Sequence, residues 1–201
     1  MLKIKISKER YKGRQSNTRI KMAQAKRKKK FFNVEIPLIK KRTQLQAYEV
    51  KELEGRFIKY DLTRILKGKA TIMTLKTKVK GEEVLTSPKE LRLLPYYLRR
   101  MVRRGTNYVE DSFSTKCKDS QIRIKPFLVT RRKVSRAVRK ALRNKAKEEL
   151  ISWAKESTTE KIFDETLKGK IQRELSIKLK KIYPLSLCEI RILNVEKEKK
   201  E

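Results

Sequence analysis

Arg99, Arg100, Arg103 and Arg104 crowd one short stretch of the chain, and Arg131, Arg132, Lys133, Arg136, Arg139, Lys140 and Arg143 crowd another. A third concentration, Lys26-Arg27-Lys28-Lys29-Lys30, lies near the N-terminus. The guanidinium group is planar, always charged, and forked so that it holds two phosphate oxygens at once. Side chains of these types at this density recognise anions. A run such as Arg131-Arg132-Lys133 follows a phosphate backbone without reading its sequence, which is how folded RNA is generally gripped. A merely solvated, charged helix face is the alternative for either arginine stretch taken alone. The two stretches together with the lysine run favour binding.

Catalysis has little to work with. The chain contains no histidine, which removes the commonest general base near neutral pH and excludes Ser-His-Asp and Cys-His arrangements. It contains neither a P-loop nor a dinucleotide-type glycine pattern. The carboxylate pairs Glu82-Glu83 and Glu148-Glu149 stand among Lys and Arg, where solvated ion pairs are the better reading. An enzyme is therefore not expected, and neither a metal nor another cofactor is. Cys117 and Cys188 cannot complete a zinc site without histidine. They read as buried free thiols of a reducing compartment, with a single disulfide as the alternative.

The charge balance says what the partner must be. Lys and Arg number 56 against 23 Asp and Glu, a formal net charge of +33 over 201 residues. Such an excess repels itself in an isolated globule, and a polyanion resolves the repulsion because each phosphate contact releases condensed counterions. An anionic membrane is a competing polyanion. No stretch approaches the roughly 20 apolar residues of a spanning helix, and no secretory signal opens the chain, so no membrane partner is expected. Nothing resembles a zinc finger or a tight helix-turn-helix for duplex DNA. No RNP-type aromatic pair, GxxG clamp or zinc knuckle predicts readout of single-stranded bases. Phe31 and Phe32, beside the lysine run, suit core packing better than stacking on a base.

The elements that must position these cations follow from hydrophobic period and turn chemistry. Residues 1–30 carry too few apolar side chains to fold alone and read as a basic arm that is disordered until bound. The folded body spans residues 31–195, with a charged tail over 196–201. Strands are expected at Phe31–Ile36, ended by Pro37, at Gly55–Leu62, and at Thr71–Val79 with Met73, Leu75 and Val79 on one face. Lys80-Gly81 turns the chain into a short strand near Val84 and Leu85. Ser87-Pro88-Lys89-Glu90 has the form of a capping box and predicts a helix that Pro95 kinks and Gly105 ends. Tyr108–Lys116 and Gln121–Val129 form a hairpin, with an edge or bulge at Pro126. A long helix is expected from about Arg132 to Trp153, its stripe being Val134, Val138, Ala141, Leu142, Leu150 and Trp153. Two shorter helices carry Ile162, Phe163 and Leu167, then Ile171, Leu175, Leu179 and Ile182, before Pro184. Cys188, Ile190 and Ile192 alternate as a last strand. The order is α+β, antiparallel strands with helices on one side or end.

The run Gly169-Lys170-Ile171, then Lys180-Lys181-Ile182-Tyr183-Pro184-Leu185, then Glu189-Ile190-Arg191 resembles the GKI…KKIYPL…VEIRK pattern that closes a family of archaeal and eukaryotic small-subunit ribosomal proteins, eS-one (older name S-three-A). Lys29 to Val34 is similar to that family's basic arm and first strand, Leu98 to Arg104 to its LRSLVRR helix, and Phe127 to Lys133 to its strand running into a basic helix. The resemblance covers roughly residues 26–195. Phe31-Phe32 replaces the usual Trp-Tyr, Ser186-Leu187-Cys188 replaces a more basic segment, and residues 1–25 match nothing in it. It implies a strand-rich, barrel-like core with helices packed around it, and a cytoplasmic protein present once per small subunit. It further implies a place on the subunit platform near the rRNA 3′ end and the mRNA exit, beside other platform proteins. The basic positions singled out above would then be rRNA contacts. A free-standing RNA-binding factor or RNA chaperone is the alternative function.

Overall fold

The computed structural model describes residues 28–81 and 83–198. Most of the expected N-terminal arm, with Lys26 and Arg27, lies outside these residues, as do residues 199–201 of the expected tail.

Among the described residues nine strands form one sheet: β1 (Lys30–Ile36), β2 (Lys41–Ala47), β3 (Phe57–Asp61), β4 (Thr71–Lys80), β5 (Glu83–Leu93), β6 (Tyr108–Glu110), β7 (Phe113–Lys116), β8 (Ser120–Thr130) and β9 (Leu185–Glu198). The helices are α1 (Pro95–Met101), α2 (Arg136–Glu156), α3 (Thr159–Lys168) and α4 (Lys170–Lys180). The fold is α+β, as expected. The pairing runs β3-β4-β5-β9-β8, and two strands are shared along their length. One edge of β5 takes β1 in parallel at Val34↔Val84 and takes β9 antiparallel at Glu90↔Asn194. The outer edge of β8 takes β7 and then β6. Among the described residues the path does not close, so the barrel-like core is an open sheet.

The largest correction concerns Ser87-Pro88-Lys89-Glu90, which is strand rather than helix start. The chain continues as β5 through Leu93, and Ser87 Oγ donates to the Lys76 carbonyl (3.3 Å) across the β4–β5 hairpin instead of capping. Val84, Thr86 and Pro88 are buried, then Leu91 and Leu93. The parity flips because Leu75 faces Pro88 and Thr74 faces Glu90, leaving Lys89 as an extra residue, a β-bulge. Pro88 is tolerated because β1 pairs only as far as Leu85 and β9 begins at Glu90, so no neighbour on that edge asks for its missing N–H. The helix therefore starts at Pro95, with its fixed φ at the first position, and ends at Met101, ahead of Gly105.

Strand β2, whose sequence KRTQLQA carries little apolar signal, was not expected; it is held by pairing with β1 along its whole length. Pro126 does lie at a bulge: Lys125 faces Ile192 and Pro126 faces Ile190, leaving Arg191 unmatched. That bulge moves the buried parity of β9 from Ile190 to Leu193 and Val195, where strict alternation predicts Ile192. The hairpin arm Tyr108–Lys116 splits into β6 and β7, yet Val109, Phe113 and Thr115 are all buried as the alternation requires. Helix α2 starts at Arg136 behind Ser135, whose hydroxyl accepts from the Val138 N–H. Its buried stripe is Leu142, Ala146, Leu150 and Ala154; Val134 precedes the helix and Ala141 is exposed. Gly169, at φ +71°, lets α3 and α4 abut across a single residue.

Two clusters show where the layers sit. Ile122, Ile124 and Leu128 of β8 join Leu142, Leu150, Phe163 and Leu175 in the main core, so α2, α3 and α4 cover that face. The alternate residues Phe127 and Val129 join Tyr97 and Leu98 of α1. Helix α1 thus covers the opposite face, so the helices pack around the sheet on both sides rather than on one side or end.

Candidate nucleic-acid interface

The end of β8 and the exit of α1 meet because β6 pairs with β8 at Tyr108↔Val129, which sets Asn107 opposite Thr130. The Thr130 N–H donates to the Asn107 carbonyl at 2.9 Å. The Thr130 hydroxyl accepts from the Asn107 N–H (3.0 Å) and reaches the Arg132 carbonyl (2.8 Å). Asn107 Oδ1 accepts from the Val134 N–H at 2.8 Å. Thr130 is 0% exposed while Asn107 is half-buried, so these bonds are partly shielded from water. They clamp the segment 102–107 beside the segment 131–135. Gly105, at φ +84°, completes the first segment's turn, and the Thr106 hydroxyl closes it on the Arg103 carbonyl (2.7 Å).

The clamp ties the loop that follows α1 to the segment that leads into α2, so the end of the first arginine stretch adjoins the start of the second, a ledge from which Arg99 and Arg100 run back along α1 and Arg136 to Arg143 along α2. Arg99, Arg100, Arg103, Arg104, Arg131, Arg132, Lys133, Arg136, Lys140 and Arg143 are exposed; Arg139 is half-buried, its Nε without a hydrogen-bond partner. Among the described residues, none of these cations has a carboxylate within salt-bridge distance. The cations that are paired stand elsewhere, for example Lys69 on Glu189, Arg123 on Glu196 and Lys178 on Glu149. Helix α2 itself is divided. Its first turn carries no acid, so Arg136, Arg139 and Lys140 add to the positive end of the helix dipole instead of opposing it. Its second half holds Glu148, Glu149 and Glu156, and the Lys178 hydrogen bond keeps the Glu149 carboxyl below the usual carboxylate range. A helix start so charged suits phosphate oxygens.

Lys28, Lys29 and Lys30 are exposed but do not join this ledge. They lead into β1, which pairs with β2 and the start of β5, and Lys29 Nζ lies 5.7 Å from the Tyr48 ring centroid. Phe31 and Phe32 divide: Phe32 packs against the small cluster of Val34, Ala47, Leu53 and Val84, whereas Phe31 is 64% exposed. Asn107 and Thr130, the residues that build the ledge, had no signal in the sequence; only strand register sets them opposite each other.

Thr130→Val keeps the volume and removes the hydroxyl, leaving the Asn107 N–H and Arg132 carbonyl without it. Expected is a loss of about 1–3 kcal/mol in denaturant unfolding, together with weaker RNA binding although every arginine remains. A variant as stable as the parent would show that the clamp contributes nothing.

Both cysteines are free thiols, which removes the disulfide alternative. Burial, reinforced by the charge of Asp119, pushes Cys117 up to about 11, and burial with Glu189 pushes Cys188 up to about 12. Both stay protonated at neutral pH, unlike a nucleophile. Among the described residues no cluster of carboxylates and thiols could hold a metal, and no helix is long and apolar enough to cross a membrane.

Fold and surface together define a class: a cationic α+β protein whose two arginine stretches, among the described residues, have no carboxylate partner. A profile of the Ribosomal S3Ae family matches residues 17–199, and the chain belongs to that family. It is similar to the small ribosomal subunit protein eS1 of Nanoarchaeum equitans, 27% identical over 183 residues that cover 87% of this chain and 92% of that protein. The protein of the same name from Methanothermobacter thermautotrophicus is 30% identical over 148 residues, 70% of this chain and 69% of its own length. That of Pyrobaculum arsenaticum is 30% identical over 159 residues, 77% and 72%. As a member of a ribosomal protein family the chain is a structural component rather than an enzyme, and its compartment is the cytoplasm.

Proposed function

We propose that the chain is a stoichiometric constituent of the small ribosomal subunit that binds rRNA through phosphate contacts on the clamped arginine ledge. The observation that carries this reading is the joining of two unpaired arginine stretches by Asn107 and Thr130. A surface that holds so many guanidinium groups without carboxylates costs self-repulsion unless phosphates neutralise it. The contacts assigned are Lys26 to Lys30 on a separate basic arm over residues 1–30, and Arg99, Arg100, Arg103, Arg104, Arg131, Arg132, Lys133, Arg136, Arg139, Lys140 and Arg143 on the domain that follows. The names of the relatives support the small subunit. The C-terminal motif resemblance supports a place on the platform near the rRNA 3′ end and mRNA exit, with neighbouring platform proteins as further partners.

Sucrose-gradient sedimentation of host lysate, with the chain quantified across fractions before and after a salt wash, tests the proposal. One copy per small subunit, retained in moderate salt, is expected. A chain found mostly in light fractions, or released by mild salt, would instead make it a free-standing RNA-binding factor or chaperone.

A further inference from the structure

Beside the arginine ledge runs a groove of about 410 Å³ between α1 and β6, within the size range of small-molecule clefts, about 300–1,000 Å³. Its character differs from the ledge. Leu98, Val102 and Phe127 make it largely apolar, and Arg99, Glu110 and Arg191 complete the lining. Tyr108 is the prominent wall. Its ring stacks on that of Phe127, with centroids 5.9 Å apart and planes at 22°. Phe127 is only 3% exposed while Tyr108 is 55% exposed. The tyrosine is therefore backed on one side by the core and open to solvent otherwise, on an edge strand whose register with β8 fixes its position.

Resting on the rRNA-binding reading above, we propose that this groove takes one unpaired RNA base, stacked on Tyr108, while the ledge arginines hold the phosphates around it. Aromatic rings accept any base by its π face, and an unstacked base is the part of an RNA that can leave the duplex to reach such a ring. Arg99 itself lines the groove, so a phosphate held by it lies next to the base site. The Glu110–Arg191 pair, 2.9 Å apart and partly exposed on both sides, presents an acceptor and a donor to the base edge. An apolar side chain from a neighbouring protein would fill the groove but use neither the pair nor the surrounding charge. No base-reading motif marks Tyr108 in the sequence; the strand register and the core beneath it create the platform.

The test compares binding of the full chain to an oligouridylate of about ten nucleotides, a length within the usual single-strand site range, and to an abasic ribose-phosphate chain of the same length. The parent protein is expected to prefer the oligouridylate by about ten-fold. Tyr108→Ala should erase that preference and leave affinity for the abasic chain unchanged, and Tyr108→Phe should keep it. Equal binding of both probes by the parent, or an undiminished preference in Tyr108→Ala, overturns the base site and leaves the protein side chain as occupant. Failure of the parent to bind either probe, or an unchanged affinity when Arg103, Arg104, Arg131 and Arg132 are removed, overturns the phosphate ledge itself and the base site with it.

Discussion

Replacing Arg103, Arg104, Arg131 and Arg132 together with alanine is expected to weaken rRNA binding and to lower the slope of log affinity against log salt by about three. Each phosphate that no longer meets a guanidinium keeps about 0.7–0.9 of a counterion condensed on the RNA, and four such phosphates give the total. The four side chains are exposed. Arg103 and Arg132 take part in the clamp through their backbone carbonyls, which alanine retains. Unfolding midpoints should therefore change little, and the loss should be one of binding alone. A matched variant that removes the paired cations Arg42, Arg92, Lys168 and Lys178, each close to a carboxylate, should move the slope less. Filter binding or fluorescence anisotropy across a salt series reads both. A slope equal to the parent's in the first variant would mean that the ledge grips no phosphate.

Leu142→Ala is expected to act in the opposite sense. Leu142 lies on the same helix as Arg136 and Arg143 but is 0% exposed, within the core that joins α2 to the sheet. Truncation strips apolar neighbours of their packing and leaves a cavity, at a cost of about 2–5 kcal/mol. Denaturant unfolding should show the midpoint falling at constant m-value, while the folded fraction keeps its salt slope. A cost well below 1 kcal/mol would contradict the packing of α2 on the sheet. Together the two variants separate the loss of phosphate contacts from the loss of core packing.

Hydrophobic period made the long strands and helices legible where nothing interrupts it. Met73 and Leu75 of β4, and Val109, Phe113 and Thr115 of β6 and β7, are buried on the parity that alternation demands. Periodicity misleads at the bulges. An extra residue at Lys89 or Arg191 reverses which side of the strand faces the core, and the reversal depends on the partner strand, which local spacing does not contain. Ser87-Pro88-Lys89-Glu90 has the side chains of a capping box, but tertiary pairing with β4 offers these residues a full ladder, and the local preference loses. Strand β2 is silent in the sequence for the related reason that its order comes from β1 rather than from its own apolar residues.

By itself the amino-acid sequence determined the charge, the absence of histidine chemistry, the elements with uninterrupted period, and a C-terminal motif specific enough to indicate the family. These are properties of residue type and local order. The tertiary structure alone decided that the loop after Arg104 is bonded to the segment 130–134, so that the two arginine stretches adjoin there, while Lys28 to Lys30 lead into β1. It also decided that α1 covers the sheet face opposite the other helices. Both outcomes follow from which strand edges pair, and the register Tyr108↔Val129 is set by two-sided burial of β8, a long-range balance that no short stretch of sequence contains.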